Sequence, residues 1–344
     1  MARGIRSAMT VQNTWRLLEE DTANVPSGYI IRRLLPEVTY DVYLAIERPS
    51  NARLLMMRVK HKSIGKAAVF PNSNCFEVRR VALQNDDNTH VTLQLVLINS
   101  RYSDIFTTLV QDIIDVIAPI ADEQNAVDAF FTRLRRWQAF LEKHNPEGLS
   151  QAEQQGLYGE LWFLRQIVIP QLGSRQGVKC WTGAKGTQQD FQFQHCAVEV
   201  KTTTAKQHQK LTISSERQLD DTGTGTLILL HLSLDARQER GESLPDIVTS
   251  LRSLLENDLI AKEELEILFF EVGYLDIHIP YYEQIGYTSR EINYFKVEGD
   301  FPRIIEADLR NGVGDLRYTI SVAECRRFSI PELDVISIIS GSHE

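Results

Sequence analysis

The sequence predicts a mixed α/β (α+β) protein of 344 residues built from two units. Between residues 29 and 99, short runs rich in β-branched and aromatic residues are separated by Pro, Asn and Gly, a pattern typical of antiparallel strands. After residue 150, capped helical patterns alternate with apolar strands instead. The helix-breaking cluster at 144–148 separates the two patterns and predicts the boundary between the units.

The predicted first unit, residues 1–145, is a mostly antiparallel β module followed by two helices. Strands are expected at 29–34, 40–47, 53–60, 76–82 and 91–98, and helices near 105–116 and 126–143. We expect this module to serve recognition or the docking of a partner.

The predicted second unit spans residues 146–344. Ser150 followed by Glu153 is a capping box, and it opens a helix that runs to about Val168. Strands at 211–213 and 226–232 and a helix at 246–256 complete the predicted core, with a short capped helix at 215–218. An α+β extension is expected from about residue 260.

The most informative segment is a predicted β-hairpin that carries Asp190, Glu199 and Lys201. Side chains alternate along a strand, so a turn at 195–196 places Asp190 opposite Lys201, and Glu199 opposite Gln192, on one polar face. Two carboxylates so placed suit Mg²⁺, which takes oxygen ligands, and Mn²⁺ as its substitute. Lys201 would orient the attacking water or stabilise charge on the phosphorus. A solvated hairpin with an ordinary ion pair is the structural alternative.

Two further residues join this predicted site. Glu160 lies inside the apolar stripe of the helix that begins at Ser150, where a carboxylate needs a cation, a donor or a water on the metal. Gln218 follows the strand at 211–213 and is a weaker, supporting candidate. A structural salt bridge is the alternative role for Glu160.

These residues resemble the PD-(D/E)XK nuclease superfamily, which has an acidic residue on its first helix, an aspartate on one strand and Glu-x-Lys on the next. The chain is similar along nearly its whole length to the prokaryotic PD-(D/E)XK motif proteins. The similar segments are 40–44, Trp137, Leu149, Ser150, 156–161 and 198–202. One position departs from the pattern, because Gln189 stands where the motif has proline.

The resemblance implies a restriction-endonuclease-like core, a small mixed sheet flanked by helices. It also implies a metal-dependent DNA endonuclease with Glu160, Asp190, Glu199 and Lys201 as catalytic residues, the three carboxylates holding Mg²⁺. Such proteins are often encoded in restriction-modification or phage-defence clusters, beside methyltransferases and ATPases. The alternative is a non-cleaving nucleic-acid-binding or adaptor subunit, and RNA remains open as the substrate. A homodimer fits because cutting both strands needs two active sites or two visits.

Charge is distributed unevenly along the chain. Residues 1–149 carry 18 Lys+Arg against 17 Asp+Glu, whereas residues 150–344 carry 19 against 29. Since nucleic-acid affinity depends on neutralising phosphates, the acidic second unit is expected to bind DNA weakly without help. Local phosphate contacts are expected from Lys185, Lys206, His208 and Lys210.

Composition predicts a cytoplasmic globular protein. No apolar run approaches membrane-spanning length, and the first residues lack the apolar stretch of a signal peptide. The four cysteines are scattered without metal-ligand spacing, which favours a reducing compartment.

Overall fold

The computed structural model describes residues 10–21, 26–64, 70–82 and 89–341. The chain forms two compact units, Met1–Pro146 and Glu147–Glu344. The first carries an antiparallel sheet and the second a mixed sheet, so the predicted α/β fold class is confirmed. No helix in the described part of the chain is long and apolar enough to cross a membrane.

The described residues of the first unit form a five-stranded sheet with three α-helices. Every neighbouring pair of strands in the order β1-β2-β3-β5-β4 is antiparallel. The elements are α1 Val11–Glu19, β1 Gly28–Leu34, β2 Asp41–Arg48, β3 Ala52–Lys60, β4 Phe76–Val81, β5 His90–Leu97, α2 Ser103–Ile117 and α3 Glu123–Lys143.

Two buried aromatic residues of the first unit find polar partners. The Tyr40 hydroxyl donates to the carbonyl of Ile117 at 2.7 Å, and Trp137 Nε1 donates to Asp112 Oδ2 at 2.7 Å. Because the polar tip of a buried aromatic ring needs a partner, these bonds fix how α2 and α3 lie in this unit.

The second unit is built around a six-stranded sheet in the order β10-β11-β9-β7-β6, with β13 also on β11, and β12 and β8 form a separate pair. Among the described strands of this sheet, β7 and β9 are the one parallel pair. The elements from α4 to α7 are α4 Gln151–Phe163, a π-helical turn Leu164–Val168, α5 Ile169–Leu172, α6 Ser174–Cys180, β6 Phe191–Gln192, β7 Cys196–Thr203, β8 Lys210–Ile213, β9 Thr226–Gln238, β10 Glu242–Ser243 and α7 Leu244–Leu254. The rest are α8 Leu259–Glu271, α9 Ile279–Tyr282, β11 Ile285–Lys296, β12 Tyr318–Ser321, α10 Val322–Cys325, β13 Ser329–Ile330 and α11 Glu332–Ser340.

Strand alternation gives this sheet two different faces. Val198 and Val200 of β7 pack into the core that α4, α7 and α8 cover. Ala197 points the other way, into a smaller core with Leu211 and Ile213 of β8. Glu199 and Lys201 share the parity of Ala197, so both leave β7 on the face that carries the smaller core.

The region beyond residue 260 is more than an extension. Strand β11 pairs with β9 from Ile285 to Lys296 and lies between β9 and β10 in the main sheet. A contact between strands so distant in sequence leaves no local signal, since periodicity reports only on a segment's own neighbours.

The helix predicted at 215–218 is absent. Ser215 Oγ accepts from Arg217 N at 3.1 Å, and the segment forms a turn. Ser bonding to a backbone N–H two residues on is as compatible with a turn as with a helix cap, and here the turn is formed.

Candidate active site

Helix α4, strand β7, the segment before β6 and one turn carry the predicted site residues, and the structure brings them together. Asp190 immediately precedes β6, and Glu199 and Lys201 lie on β7. Glu160 comes from α4, and Gln218 from the turn after β8. The charges of Asp190, Glu199 and Lys201 all act on Glu160, so one cluster contains the three carboxylates and the lysine.

The hairpin that holds Asp190 has a different register from the predicted one. Phe191 pairs with Val198, and Phe193 N donates to Cys196 O at 2.8 Å, so the turn is at 194–195 instead of 195–196. The cause is burial, because Cys196 is buried and belongs in the strand. Each residue's partner moves by two positions, which leaves every side chain on its predicted face.

Asp190 is fixed through its backbone and its carboxylate. Its carbonyl accepts from Thr182 N at 2.9 Å and Gly183 N at 2.8 Å, and its Oδ2 accepts from Val200 N at 2.8 Å. A Cβ on Gly183 would lie 2.8 Å from the Asp190 Cα, so only glycine fits this close approach.

Glu199 and Lys201 form an ion pair with the lysine Nζ 2.7 Å from the Glu199 Oε1. Lys201 Nζ also donates to Gln218 Oε1 at 3.1 Å, and the same oxygen accepts from Ser214 N at 2.8 Å. Glu199 is only 1% exposed, and among the described residues its Oε2 has no hydrogen-bond donor. A buried carboxylate oxygen without a donor is costly and marks a place where a cation is favoured.

Glu160 approaches from the helix layer and is half-buried. Its Oε2 accepts from Trp181 Nε1 at 2.7 Å. Helix α4 comes close to the sheet at Gly159, where a Cβ would collide with Thr202 Cγ2 and lie 3.4 Å from Val200 Cγ1. Gly156 of the same helix has no such contact.

Burial and mutual repulsion make the three carboxyl groups hard to ionise together. Burial and the Asp190 charge raise the pKa of Glu160 well above its usual range, against the hydrogen bond from Trp181. Burial raises the pKa of Asp190, opposed by Lys201 and by the N–H of Val200. Burial and Asp190 raise the pKa of Glu199 to about 8.

Lys201 remains an ammonium ion. Burial lowers its pKa, but attraction to Glu199 and Asp190 outweighs this effect, and the net pKa is raised. The site therefore sets one fixed positive charge against three carboxyl groups, an arrangement that a further cation would stabilise.

Residues 11–323 match the family described as "Putative PD-(D/E)XK family member, (DUF4420)". The chain belongs to this family. The match covers most of both compact units and supports the PD-(D/E)XK superfamily resemblance drawn from the motif residues. No curated protein and no solved structure matches the chain.

The PD-(D/E)XK superfamily consists generally of nucleases, which typically use divalent metal ions. Among the described residues, no three His, Cys, Asp or Glu side chains already converge as a metal-ligand set. The donor chemistry nevertheless fits a hard divalent cation, because Asp190, Glu199 and Glu160 offer carboxylate oxygens and the buried Glu199 Oε2 has no donor among the described residues. Asp190 and Glu199 would hold such an ion, with Glu160 beside them.

Gln189, at the motif's proline position, has a role that sequence reasoning missed. It is 1% exposed, and its Nε2 donates to Arg217 O at 3.1 Å and Asp220 O at 3.4 Å. These bonds join the segment carrying Asp190 to the turn carrying Gln218, which contacts Lys201. The sequence signal for this role was the departure from proline, because glutamine has a side-chain amide that can donate hydrogen bonds and proline has no donor.

The predicted phosphate contacts fall into two places. Lys185 Nζ lies 3.8 Å from Glu264 Oε1, on the short helical turn Gly183–Lys185. Lys206, His208 and Lys210 line a separate cavity of about 430 Å³ whose lining includes none of the catalytic candidates.

Proposed function

We propose that this chain is a Mg²⁺-dependent DNA endonuclease that hydrolyses phosphodiester bonds in prokaryotic restriction or phage defence, acting in the cytoplasm. The observation that carries the proposal is the buried Glu199 carboxylate, which shares one cluster with Asp190, Glu160 and the ammonium of Lys201. Membership of the PD-(D/E)XK family supports the same chemistry. Mn²⁺ is expected to substitute for Mg²⁺.

Each residue has a distinct proposed part in the reaction. Asp190 and Glu199 hold the cation, which when bound supplies a nucleophile at neutral pH and neutralises phosphate charge. Lys201, an ammonium fixed by Glu199 and Gln218, positions the attacking water or stabilises the negative charge that grows on the phosphoryl oxygens. Glu160 supports the cation or a water on it.

Partners are expected to supply the positive charge for DNA binding that the acidic second unit lacks. Its excess of acidic residues disfavours unaided DNA binding, which supports a recognition or docking role for the N-terminal module. A homodimer, or a complex with a methyltransferase or an ATPase of the same gene cluster, would add DNA contacts.

The test is cleavage of supercoiled plasmid, methylated and unmethylated, with Mg²⁺ or Mn²⁺. The intact protein is compared with Lys201→Ala and with Lys262→Ala, a matched lysine on α8. We expect metal-dependent nicking by the intact protein and Lys262→Ala, and none by Lys201→Ala.

Circular dichroism supplies the folding control. Undiminished nicking by a folded Lys201→Ala protein would refute the proposed role of Lys201. If Lys201→Ala unfolds, a structural ion pair is favoured instead. If no protein cleaves and none binds Mg²⁺ saturably, the non-cleaving adaptor is favoured, because an adaptor needs no metal site.

A further inference from the structure

A second concave site lies beyond the end of the strand that carries Lys201. It is a cavity of about 430 Å³ formed by the loop between β7 and β8, by β11, and by the junction of β12 and α10. Its charged and polar lining residues include Lys206, His208, Lys210, Arg326, Glu291 and Ser321. All are exposed except Ser321, which is half-buried.

The charge of this cavity opposes that of the unit around it. Residues 150–344 carry ten more acidic than basic side chains, yet residues 200–215 contain three lysines, one histidine and no Asp or Glu. Within the lining, which lies wholly in the described part of the chain, Glu291 is the one carboxylate. A local cationic surface in an acidic domain attracts anions that the remaining surface repels.

The loop that carries Lys206 and His208 is held in place by neighbouring strands. Arg290 Nη2 of β11 donates to Thr204 O at 2.9 Å and to Ala205 O at 3.0 Å. Gln209 Nε2 donates to Ser233 Oγ of β9 at 2.7 Å. The cationic side chains therefore project from a braced backbone, which reduces the conformational entropy lost when they bind a ligand.

The other wall is equally anchored. Lys210 pairs with Ser321 in the β8–β12 ladder, and Val322 N donates to Gln209 O at 3.0 Å. Arg326 follows on the next turn and faces the same cavity as Lys210. Guanidinium, ammonium and hydroxyl donors in one lining are the groups that proteins use to contact phosphate oxygens.

The cavity is also close to the candidate active site along the chain. Lys206 is five positions after Lys201, and a fully extended chain of that length spans at most about 18 Å. A nucleic-acid strand with one phosphate at Lys201 would place other phosphates within that distance, whereas a free anion gains nothing from the proximity.

We propose that this cavity binds a backbone phosphate of the nucleic-acid substrate, a few nucleotides from the bond that is cut. Lys206, Lys210 and Arg326 provide the charge, and Glu291 limits the affinity. The inference rests on the proposed nuclease function and adds to it the surface along which the strand runs.

DNA binding measured without cleavage tests this inference. Fluorescence anisotropy of a labelled 20-base-pair duplex is recorded in Ca²⁺ between 50 and 200 mM salt. The variants are Lys206→Gln/Lys210→Gln/Arg326→Gln, the charge-matched control Lys179→Gln/Arg240→Gln/Lys262→Gln, and Glu291→Gln. The control residues lie on α6, on the β9–β10 turn and on α8, outside the cavity lining.

We expect the cavity variant to lose about tenfold or more in affinity at 100 mM salt, with the salt slope reduced by about 0.9 for each phosphate contact removed. Glu291→Gln is expected to bind more tightly, and the control to keep the parent's affinity and slope. Equal losses in the cavity and control variants would show only a general charge effect and would overturn the inference.

Three further outcomes would also overturn it. They are an unchanged salt slope in the cavity variant, no DNA binding by the intact protein, and a site that inorganic phosphate occupies while DNA affinity stays the same. Failure of the nuclease proposal is seen separately, as absence of plasmid cleavage in Mg²⁺ by a protein that still binds the duplex.

Discussion

Glu199 is a buried carboxyl group paired with Lys201, and its raised pKa determines how the cluster responds when that lysine is replaced. Because the pKa of Glu199 is raised to about 8 even beside Lys201, the group can take up a proton at neutral pH if the lysine is removed. Protonation avoids an uncompensated buried charge. Lys201→Ala is therefore expected to remain folded at pH 7, which makes it a clean test of catalysis.

Gln189 is predicted to matter for catalysis although it does not touch the reacting groups. Gln189→Met keeps the side-chain length but removes the Nε2 group that donates both hydrogen bonds to the turn that carries Gln218, so Lys201 loses its alignment. We expect kcat to fall about tenfold, equivalent to about 1.4 kcal/mol, with little change in KM.

Gln188, the exposed neighbour of Gln189, provides the control for the predicted effect of Gln189→Met. Gln188→Met should leave kcat unchanged, because the Gln188 side chain is exposed. Gln189→Pro, which restores the residue that names the motif, lacks the same donors and should be impaired as well. If kcat is normal in Gln189→Met, the side chain has only a packing role.

His231 gives the second unit a predicted pH dependence of stability. Burial lowers the pKa of His231 to about 4, and its Nε2 lies 2.8 Å from Thr203 Oγ1. The unfolded chain takes up a proton on His231 below about pH 6.5 and the folded one only near pH 4, so the contribution of His231 to stability falls as pH decreases between these values. Protonation of Glu199, whose pKa is raised to about 8, acts in the opposite direction. The His231 contribution should be a loss of about 2 kcal/mol at pH 5, measured by urea unfolding as the difference between the parent and His231→Gln.

Substitution checks whether His231 is responsible. Relative to pH 7, His231→Gln should be more stable at pH 5 than the parent by about 2 kcal/mol, whereas His195→Gln, in the exposed hairpin turn, should change with pH as the parent does. The same pH dependence in His231→Gln as in the parent would assign the effect to other groups.

At the scale of elements, the close approach of α4 to β7 depends on one of its two glycines. Gly159→Ala would drive a methyl group into Thr202, and the cost should be about 1–3 kcal/mol together with displacement of Glu160. Gly156→Ala meets no atom within 4 Å and should stabilise the helix by up to about 1 kcal/mol. Thermal unfolding of both variants measures the difference.

Thr202→Ser tests whether the collision with the Thr202 methyl group causes the loss of stability in Gly159→Ala. Thr202→Ser removes the colliding methyl group but keeps the hydroxyl that accepts from Gln155 Nε2 at 3.0 Å. Adding Thr202→Ser to Gly159→Ala should recover much of the lost stability. No recovery would mean that the collision is not the source of the destabilisation.

Elements with strong local signals were predictable, and those set by distant contacts were not. The capping box at Ser150 and the buried stripe through Leu157 and Leu161 are present in α4. The hairpin face that carries Glu199 was also predicted, because the two-residue periodicity survives the change of register. The register itself depended on burial of Cys196, which no local pattern reveals.

At the scale of the whole molecule, the mixed sheet could be predicted but not its width. Strand β11 adds a long antiparallel partner to β9 from more than 45 residues downstream, and only tertiary packing specifies that pairing. The hydrogen bonds from Gln189 to the turn that carries Gln218 also depend on tertiary packing. The local pattern at Ser215 equally favours a helix cap, so the sequence did not reveal them.

Binding of Mn²⁺, followed by electron paramagnetic resonance, tests most directly whether the Asp190 and Glu199 carboxylates form a cation site. The intact protein is compared with Asp190→Asn/Glu199→Gln, and Glu239→Gln/Glu256→Gln controls for loss of acidic charge at exposed positions. We predict saturable binding by the intact protein and the control, and its loss from a folded Asp190→Asn/Glu199→Gln protein. Equal saturable binding by all three proteins would contradict the assignment of the metal to Asp190 and Glu199.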